Sequence, residues 1–257
     1  MKVQKDIENR MGEYNYVTPY FLSCKRFDLF KQTFESFWQN CLDKDLIRSF
    51  IVIDDNSSSD DRKKIDELIK SISMPSIFVS KNDIKGQASS INIFYDLCRT
   101  KYAIAIEDDW KFIRSGNFLK NSISIIENNS NIKRVCLDLS TSGKNINQIL
   151  ENDIYTVNSE KYWIHQYNNK NEWPSFTFRQ SVIDINACFN DIGYASPSPK
   201  FSHDGSPPTS ETDYAVRYCN HGYRTAFFIN TFVEEISKNV QSSFNLNSVS
   251  RYNEYDY

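Results

Sequence analysis

The stretch Tyr102-Ala103-Ile104-Ala105-Ile106-Glu107-Asp108-Asp109 constrains the fold more than any other. Its apolar half has no polar break and stops at three consecutive carboxylates. An unbroken apolar run of this length suits a strand covered on both faces, as in the middle of an α/β sheet. Adjacent carboxylates repel one another unless a cation lies among them. Hard divalent cations take carboxylate oxygens and share them with phosphates, and open α/β sheets bind ligands beyond the carboxyl ends of their strands. The alternative is an acidic solvated turn, and the rest of the chain decides between the two.

Three earlier runs have the same character. Residues 16–24 give a first strand, with Pro19 near its start, where a missing N–H is tolerated. Residues 50–53 give a second strand, ending at Asp54-Asp55-Asn56-Ser57-Ser58-Ser59, and residues 76–80 a third. Between them, Phe27, Phe30, Phe34, Phe37 and Trp38 recur at helical spacing, so a helix with an aromatic core face spans 27 to about 42. The serine-rich turn caps a helix over 60–71. Lys85-Gly86-Gln87 opens another, with Ala88, Ile91, Phe94 and Cys98 on one face. Strand and helix alternate up to Glu107, which predicts an α/β chain with a parallel sheet built by right-handed crossovers.

The second half is less regular. It reads as a helix over 117–128, a strand over 135–139 and a strand over 162–165. Trp173 to Arg179 leads into a helix ending near Asn190. The Pro/Gly/Ser-rich loop 195–210 is too long for a mere connector and is expected to be a mobile lid. A helix over 211–220 and a strand over 224–229 close the pattern.

A net charge of −3 without any basic run argues against a nucleic-acid partner. The longest apolar runs are far too short to cross a bilayer, and Met1 to Asp6 lacks the apolar core of a signal peptide. The six cysteines show no C-x-x-C spacing, which suits buried free thiols in a reducing compartment. A cytoplasmic protein of one large domain is the expectation.

The acidic ends Asp54-Asp55 and Glu107-Asp108-Asp109 should share one edge of the sheet and so suggest a metal–nucleotide site. Asp55 can accept from a nucleobase N–H, and Asp109 can hold a cation that bridges a diphosphate. Neither a P-loop nor G-x-G-x-x-G is present, so a cation and side chains must meet the phosphate charge. Lys85-Gly86 at a helix start offers both a cation and free N–H groups.

These residues resemble a known family. Leu22-Ser23-Cys24-Lys25-Arg26-Phe27-Asp28, Ile51-Val52-Ile53-Asp54-Asp55-Asn56-Ser57, the Asn82/Gly86/Asn92 spacing and Glu107-Asp108-Asp109 are similar, in order, to the donor half of GT-A glycosyltransferases. The inverting family 2 type is the nearest. The resemblance runs from about Tyr16 to Phe244, with nothing specific between Leu139 and Tyr162. It implies a single GT-A domain, a mostly parallel central mixed sheet flanked by helices. A nucleotide-sugar donor half would span about 14–110, an acceptor and catalytic half about 111–240, and a C-terminal tail 241–257.

The resemblance also implies roles. Asp55 would bind the base, Asp108 would lie near ribose and diphosphate, and Asp109 would be the ligand of Mn²⁺ or Mg²⁺. Ser23, Lys25, Arg26, Asp54, Glu107 and either Lys85 or Gln87 would line the nucleotide-sugar cleft. Ser210-Glu211-Thr212-Asp213 is similar to the helix start that carries the general base, with Glu211 on that base and Asp213 as the alternative. Phe232-Val233-Glu234-Glu235-Ile236 places Glu235 where the family often has a metal-binding His, with His203 and His221 as other candidates. Trp110, Trp163 and Trp173 are candidate sugar-stacking platforms on the acceptor side, Trp110 and Trp173 foremost. The implied activity is inverting, metal-dependent transfer from a nucleotide-diphosphate sugar, UDP by default, to a glycan or glycoconjugate hydroxyl. A nucleotidyltransferase of related topology and a non-catalytic nucleotide-sugar or glycan-binding module are the alternatives.

Overall fold

The computed structural model describes residues 16–81, 86–144, 146–167, 176–201 and 207–237. The first half follows the sequence pattern: β1 (Val17–Ser23), α1 (Phe27–Asn40), β2 (Phe50–Asp55), α2 (Ser59–Lys70), β3 (Ser76–Lys81), α3 (Gln87–Leu97) and β4 (Tyr102–Glu107). Then come β5 (Trp110–Phe112), α4 (Phe118–Asn128), β6 (Ile132–Cys136), β7 (Ile154–Val157), β8 (Glu160–Ile164) and β9 (Ser181–Asp184). A π-helix (Asn186–Ile192), α5 (Ser210–Asn220), β10 (Arg224–Phe228) and β11 (Val233–Glu235) complete the order.

Nine strands form one sheet in the order β3-β2-β1-β4-β9-β6-β10-β8-β7. It is mixed. Parallel pairing runs through β3, β2, β1 and β4 and recurs between β6 and β10, while β9, β8 and β7 run antiparallel to their neighbours. Along β4, Ile104 and Ile106 face one layer of core and Ala103 and Ala105 the other. The first layer is filled by α1 and α4, where Phe30, Phe34, Phe37, Phe118 and Ile125 meet Phe21 and Phe50. The second takes Ile91 and Phe94 of α3 and Tyr214 and Tyr218 of α5. Ser58 caps α2 as expected, its side chain accepting from Asp61 N at 3.1 Å.

One expected element is replaced. The helix after Arg179 begins instead as β9, in the middle of the sheet between β4 and β6, and only the π-helix Asn186–Ile192 retains helical character. All four β9 residues are buried, and a Val-Ile pair covered on both faces suits a central strand. The edge strand β7 and the β5–β11 ribbon lie where the sequence reading had no element. Five cysteines are buried, Cys24 is half-buried, and all six are free thiols. Among the described residues no helix is long and apolar enough to cross a membrane.

Candidate functional site

The sheet register brings the acidic strand ends together. Ser23 at the end of β1 lies opposite Asp54 of β2, and Leu22 lies opposite Glu107 of β4. The β1–α1 and β2–α2 loops are tied to each other, Lys25 N donating to Ser57 Oγ at 2.8 Å. Lys25 and Asn56 hold left-handed backbone there, with φ of 58° and 65°. The Oγ of Ser23 is buried without a hydrogen-bond partner.

Within each acidic run the side chains part ways. Asp54 is 0% exposed, and its Oδ2 accepts from Ser57 N at 3.2 Å and Arg62 Nε at 2.8 Å, which braces the turn. Asp55 is half-buried at the cleft. Its Oδ2 accepts from Gly86 N at 2.7 Å, and its Oδ1 lies 3.3 Å from Lys81 Nζ. Burial lowers the pKa of Lys81, against the pull of Asp55, and its ammonium also donates to Gly86 O and Ser90 Oγ.

In the second run, Glu107 accepts from Gln87 Nε2 at 2.7 Å. Asp108 is 3% exposed and accepts from Cys24 N at 3.0 Å and from Arg26 Nη2. Burial pushes its pKa up to about 7, even though Arg26 pulls it down. Asp109 is half-buried and accepts from Arg26 Nη1 at 3.1 Å. One guanidinium therefore spans both carboxylates.

The ribbon β5–β11 delivers the far end of the chain to this place. Glu235 stands opposite Trp110, and Ile236 N donates to Asp109 O at 2.8 Å. Glu235 itself accepts from Ser237 Oγ at 2.8 Å. The backbone of Glu235 thus lies next to that of Asp109, and Arg26 demonstrates that the spot beside the Asp109 carboxylate accepts positive charge. Among the described residues no three His, Cys, Asp or Glu side chains are grouped to hold a metal, so a cation here would need oxygens from its ligand. His221 is no alternative. It ends α5 beside the start of β10, at the opposite edge of the sheet, exposed and stacked with Tyr223.

On the other side of the cleft stands the start of α5. Because β9 is antiparallel to β4, its entry lies at the edge that carries Glu107, and Phe178, just before it, donates its N–H to Glu211 Oε1 at 3.2 Å. Asp213 is differently employed. It is 3% exposed, and its Oδ1 accepts from Lys200 N at 2.9 Å and Phe201 N at 3.2 Å, its Oδ2 from Arg217 Nε at 2.9 Å. All three donors come from within the protein. Asn92 exchanges two hydrogen bonds with the backbone of Ala195, and Ser210 Oγ donates to Ser196 O. Residues 195–201 are thus strapped down, against the expectation of a mobile loop throughout 195–210; residues 202–206 lie outside the described residues.

Two aromatic expectations fail. Trp110 is 4% exposed within the α1/α4 core layer, and Trp163 packs against Phe227 and His165, so neither offers a face to a sugar. Lys85, Trp173 and His203 lie outside the described residues. The sequence reading missed Lys81, Arg62 and Arg134. Fully buried Arg134 donates to Ser181 Oγ and Thr177 Oγ1, both at 2.9 Å, and so holds the segment that presents the Phe178 amide to Glu211. An arginine beside Lys133 at the start of a strand gives no sequence signal of such a role.

No protein-family model matches the sequence, and no curated protein is significantly similar to it. Solved structures are. The mannosyltransferase PcManGT from Pyrobaculum calidifontis, in complex with GDP-Man and Mn²⁺, is 11% identical with a TM-score of 0.62 over 88% of this chain and 58% of that one. S. aureus TarS residues 1–349 give 9% identity and a TM-score of 0.57 over 86% of this chain and 60% of that one. GalNAc-T7 with UDP, GalNAc and Mn²⁺ gives 12% and 0.62 over 86% of this chain and 44% of that one. The chain thus spans about half the length of these structures, and it has the GT-A fold.

Proposed function

We propose that this GT-A chain is an inverting glycosyltransferase that moves a sugar from a nucleotide-diphosphate sugar to an acceptor hydroxyl. The observation that carries the reading is the convergence, at one sheet edge, of Asp55, the Glu107–Asp109 run and Glu211. The neighbours that hold GDP-Man or UDP together with Mn²⁺ support it.

In this reading Asp55 accepts from the base, and Gly86 and Lys81 hold it in place. Asp54 and Asp108 are anchors of the cleft loops rather than ligand contacts, since both are buried and tied to the turns by Ser57 N and Arg62 and by Cys24 N and Arg26. Asp109, with Glu235 beside it, would hold Mn²⁺ or Mg²⁺, which when bound supplies positive charge to the departing diphosphate. Glu211 takes the proton of the acceptor hydroxyl as its oxygen bonds to the anomeric carbon. The bond from that carbon to the diphosphate oxygen breaks, and its electron pair leaves with the diphosphate. Attack from the face opposite the nucleotide inverts the anomeric centre. Phe178 N–H orients the Glu211 carboxylate for this task.

The test is a thermal-shift series with UDP, GDP and their sugars, with and without Mn²⁺, on the wild-type protein and Asp109→Asn. A ligand that binds only the native state raises Tm. Nucleotide and Mn²⁺ together should stabilise the wild-type protein by more than the sum of each alone, and Asp109→Asn should lose that excess. No shift with any nucleotide refutes the reading. Product with the donor's anomeric configuration, read by NMR, refutes inversion alone.

A further inference from the structure

Arg26 is fixed at its backbone and committed at its head. Its carbonyl accepts from Leu29 N and Phe30 N at the start of α1, so only the side chain can move. The two terminal nitrogens are divided between Asp108 and Asp109, while Nε is buried without a partner. Three residues earlier, at the end of β1, the buried hydroxyl of Ser23 also has no partner. Two unspent polar groups at one strand end are what a polar ligand atom would complete. A guanidinium already neutralises the carboxylates that a divalent cation would need, and the same planar fork matches phosphate oxygens.

We infer that Arg26 is a resident cation that shields Asp109 from free divalent metal and transfers to the diphosphate of the arriving donor. The inference rests on the glycosyltransferase reading for its ligand, a nucleoside diphosphate, but not for the metal competition. Metal and nucleotide then bind as a unit: the diphosphate draws Arg26 away, and Asp109 becomes available.

The experiment measures Mn²⁺ binding by the loss of the free-ion EPR signal, and UDP and GDP binding by calorimetry, for the wild-type protein, Arg26→Gln and Arg26→Lys. Arg26→Gln should bind Mn²⁺ without nucleotide about ten- to a hundredfold more tightly than wild type, the scale of one charge-assisted hydrogen bond. It should bind metal-free nucleotide more weakly by a similar factor. Arg26→Lys, whose ammonium is a compact point charge rather than a two-armed fork, should fall between. Adding Asp109→Asn to Arg26→Gln should erase the gain in metal affinity. Wild-type or weaker Mn²⁺ affinity in both Arg26 variants overturns the inference. If nucleotide and Mn²⁺ still bind the wild-type protein synergistically in that case, the glycosyltransferase reading survives. Tighter Mn²⁺ binding with no nucleotide binding anywhere leaves the shield standing and removes the donor. Should Arg26→Gln fail to fold, Arg26→Lys carries the same comparison.

Discussion

Glu211 and Asp213 sit two residues apart in the first turn of α5, and the structure predicts opposite phenotypes for them. Asp213 accepts three hydrogen bonds, from Lys200 N, Phe201 N and Arg217 Nε, with its side chain only 4% exposed. Asp213→Asn keeps the shape but removes the charge and turns an N–H₂ toward one of these donors. Breaking a buried ion pair by removing one partner costs about 3–5 kcal/mol. For a chain of this size each kcal/mol moves Tm by about 2–4 °C, so a fall of about 6–20 °C is expected. Glu211→Gln retains an oxygen for Phe178 N–H and leaves a half-exposed site, so stability should change by no more than about 0.5 kcal/mol. Its cost falls on chemistry instead, roughly a 10²–10⁴-fold loss of transfer with donor affinity kept. Circular dichroism melts and urea titrations read the first effect; labelled-sugar transfer from UDP and GDP donors reads the second. An Asp213→Asn protein with wild-type Tm and abolished transfer would refute this assignment and make Asp213 the base. Normal transfer by Glu211→Gln would remove α5 from the mechanism.

Asp55→Asn keeps an acceptor for Gly86 N but loses the charge, and should weaken nucleoside diphosphate binding about tenfold or more in calorimetry while leaving Mn²⁺ affinity unchanged; equal affinity would put the base elsewhere. Gly116→Ala should cost about 1–3 kcal/mol in urea unfolding, because a Cβ there would come to 2.6 Å of Phe232 Cε1. The Phe232 ring has no room to yield, being fully buried under the Arg114 guanidinium at 3.6 Å.

The first half of the fold was legible because each strand announces itself. Residues 17–23, 50–55 and 102–107 are apolar runs stopped by serine or acid, and the aromatics of α1 keep helical spacing over their whole length. β9 was not legible. Its four residues carry no period, and they form a strand only because β4 and β6 supply ladder partners on both sides. Trp110 misled for a related reason. It follows an acidic turn and so reads as a surface aromatic, but β11 arrives from the far end of the chain to pair with it, and the β5–β11 ribbon folds its ring into the α1/α4 layer. Long-range pairing of this kind leaves no local trace.

The acidic doublets teach a subtler point about what spacing can say. In Asp54-Asp55 and in Asp108-Asp109 the first carboxylate is the more deeply buried and the second is left half-exposed at the cleft. The first acid in each case is spent on a loop: Asp54 on the β2–α2 turn through Ser57 and Arg62, Asp108 on the β1–α1 turn through Cys24 and Arg26. Since Lys25 N and Ser57 Oγ tie those two turns together, the two anchoring acids fix the separation of the two less buried ones. The sequence can report that a strand ends in paired carboxylates, but it cannot say which of the pair is consumed, because that depends on where the turn places its N–H groups. The same holds in reverse at α5, where the later acid, Asp213, is the buried anchor and the earlier one, Glu211, is half-buried and accepts from Phe178 N. Each acid of the proposed site thus has a buried acidic neighbour that anchors its turn.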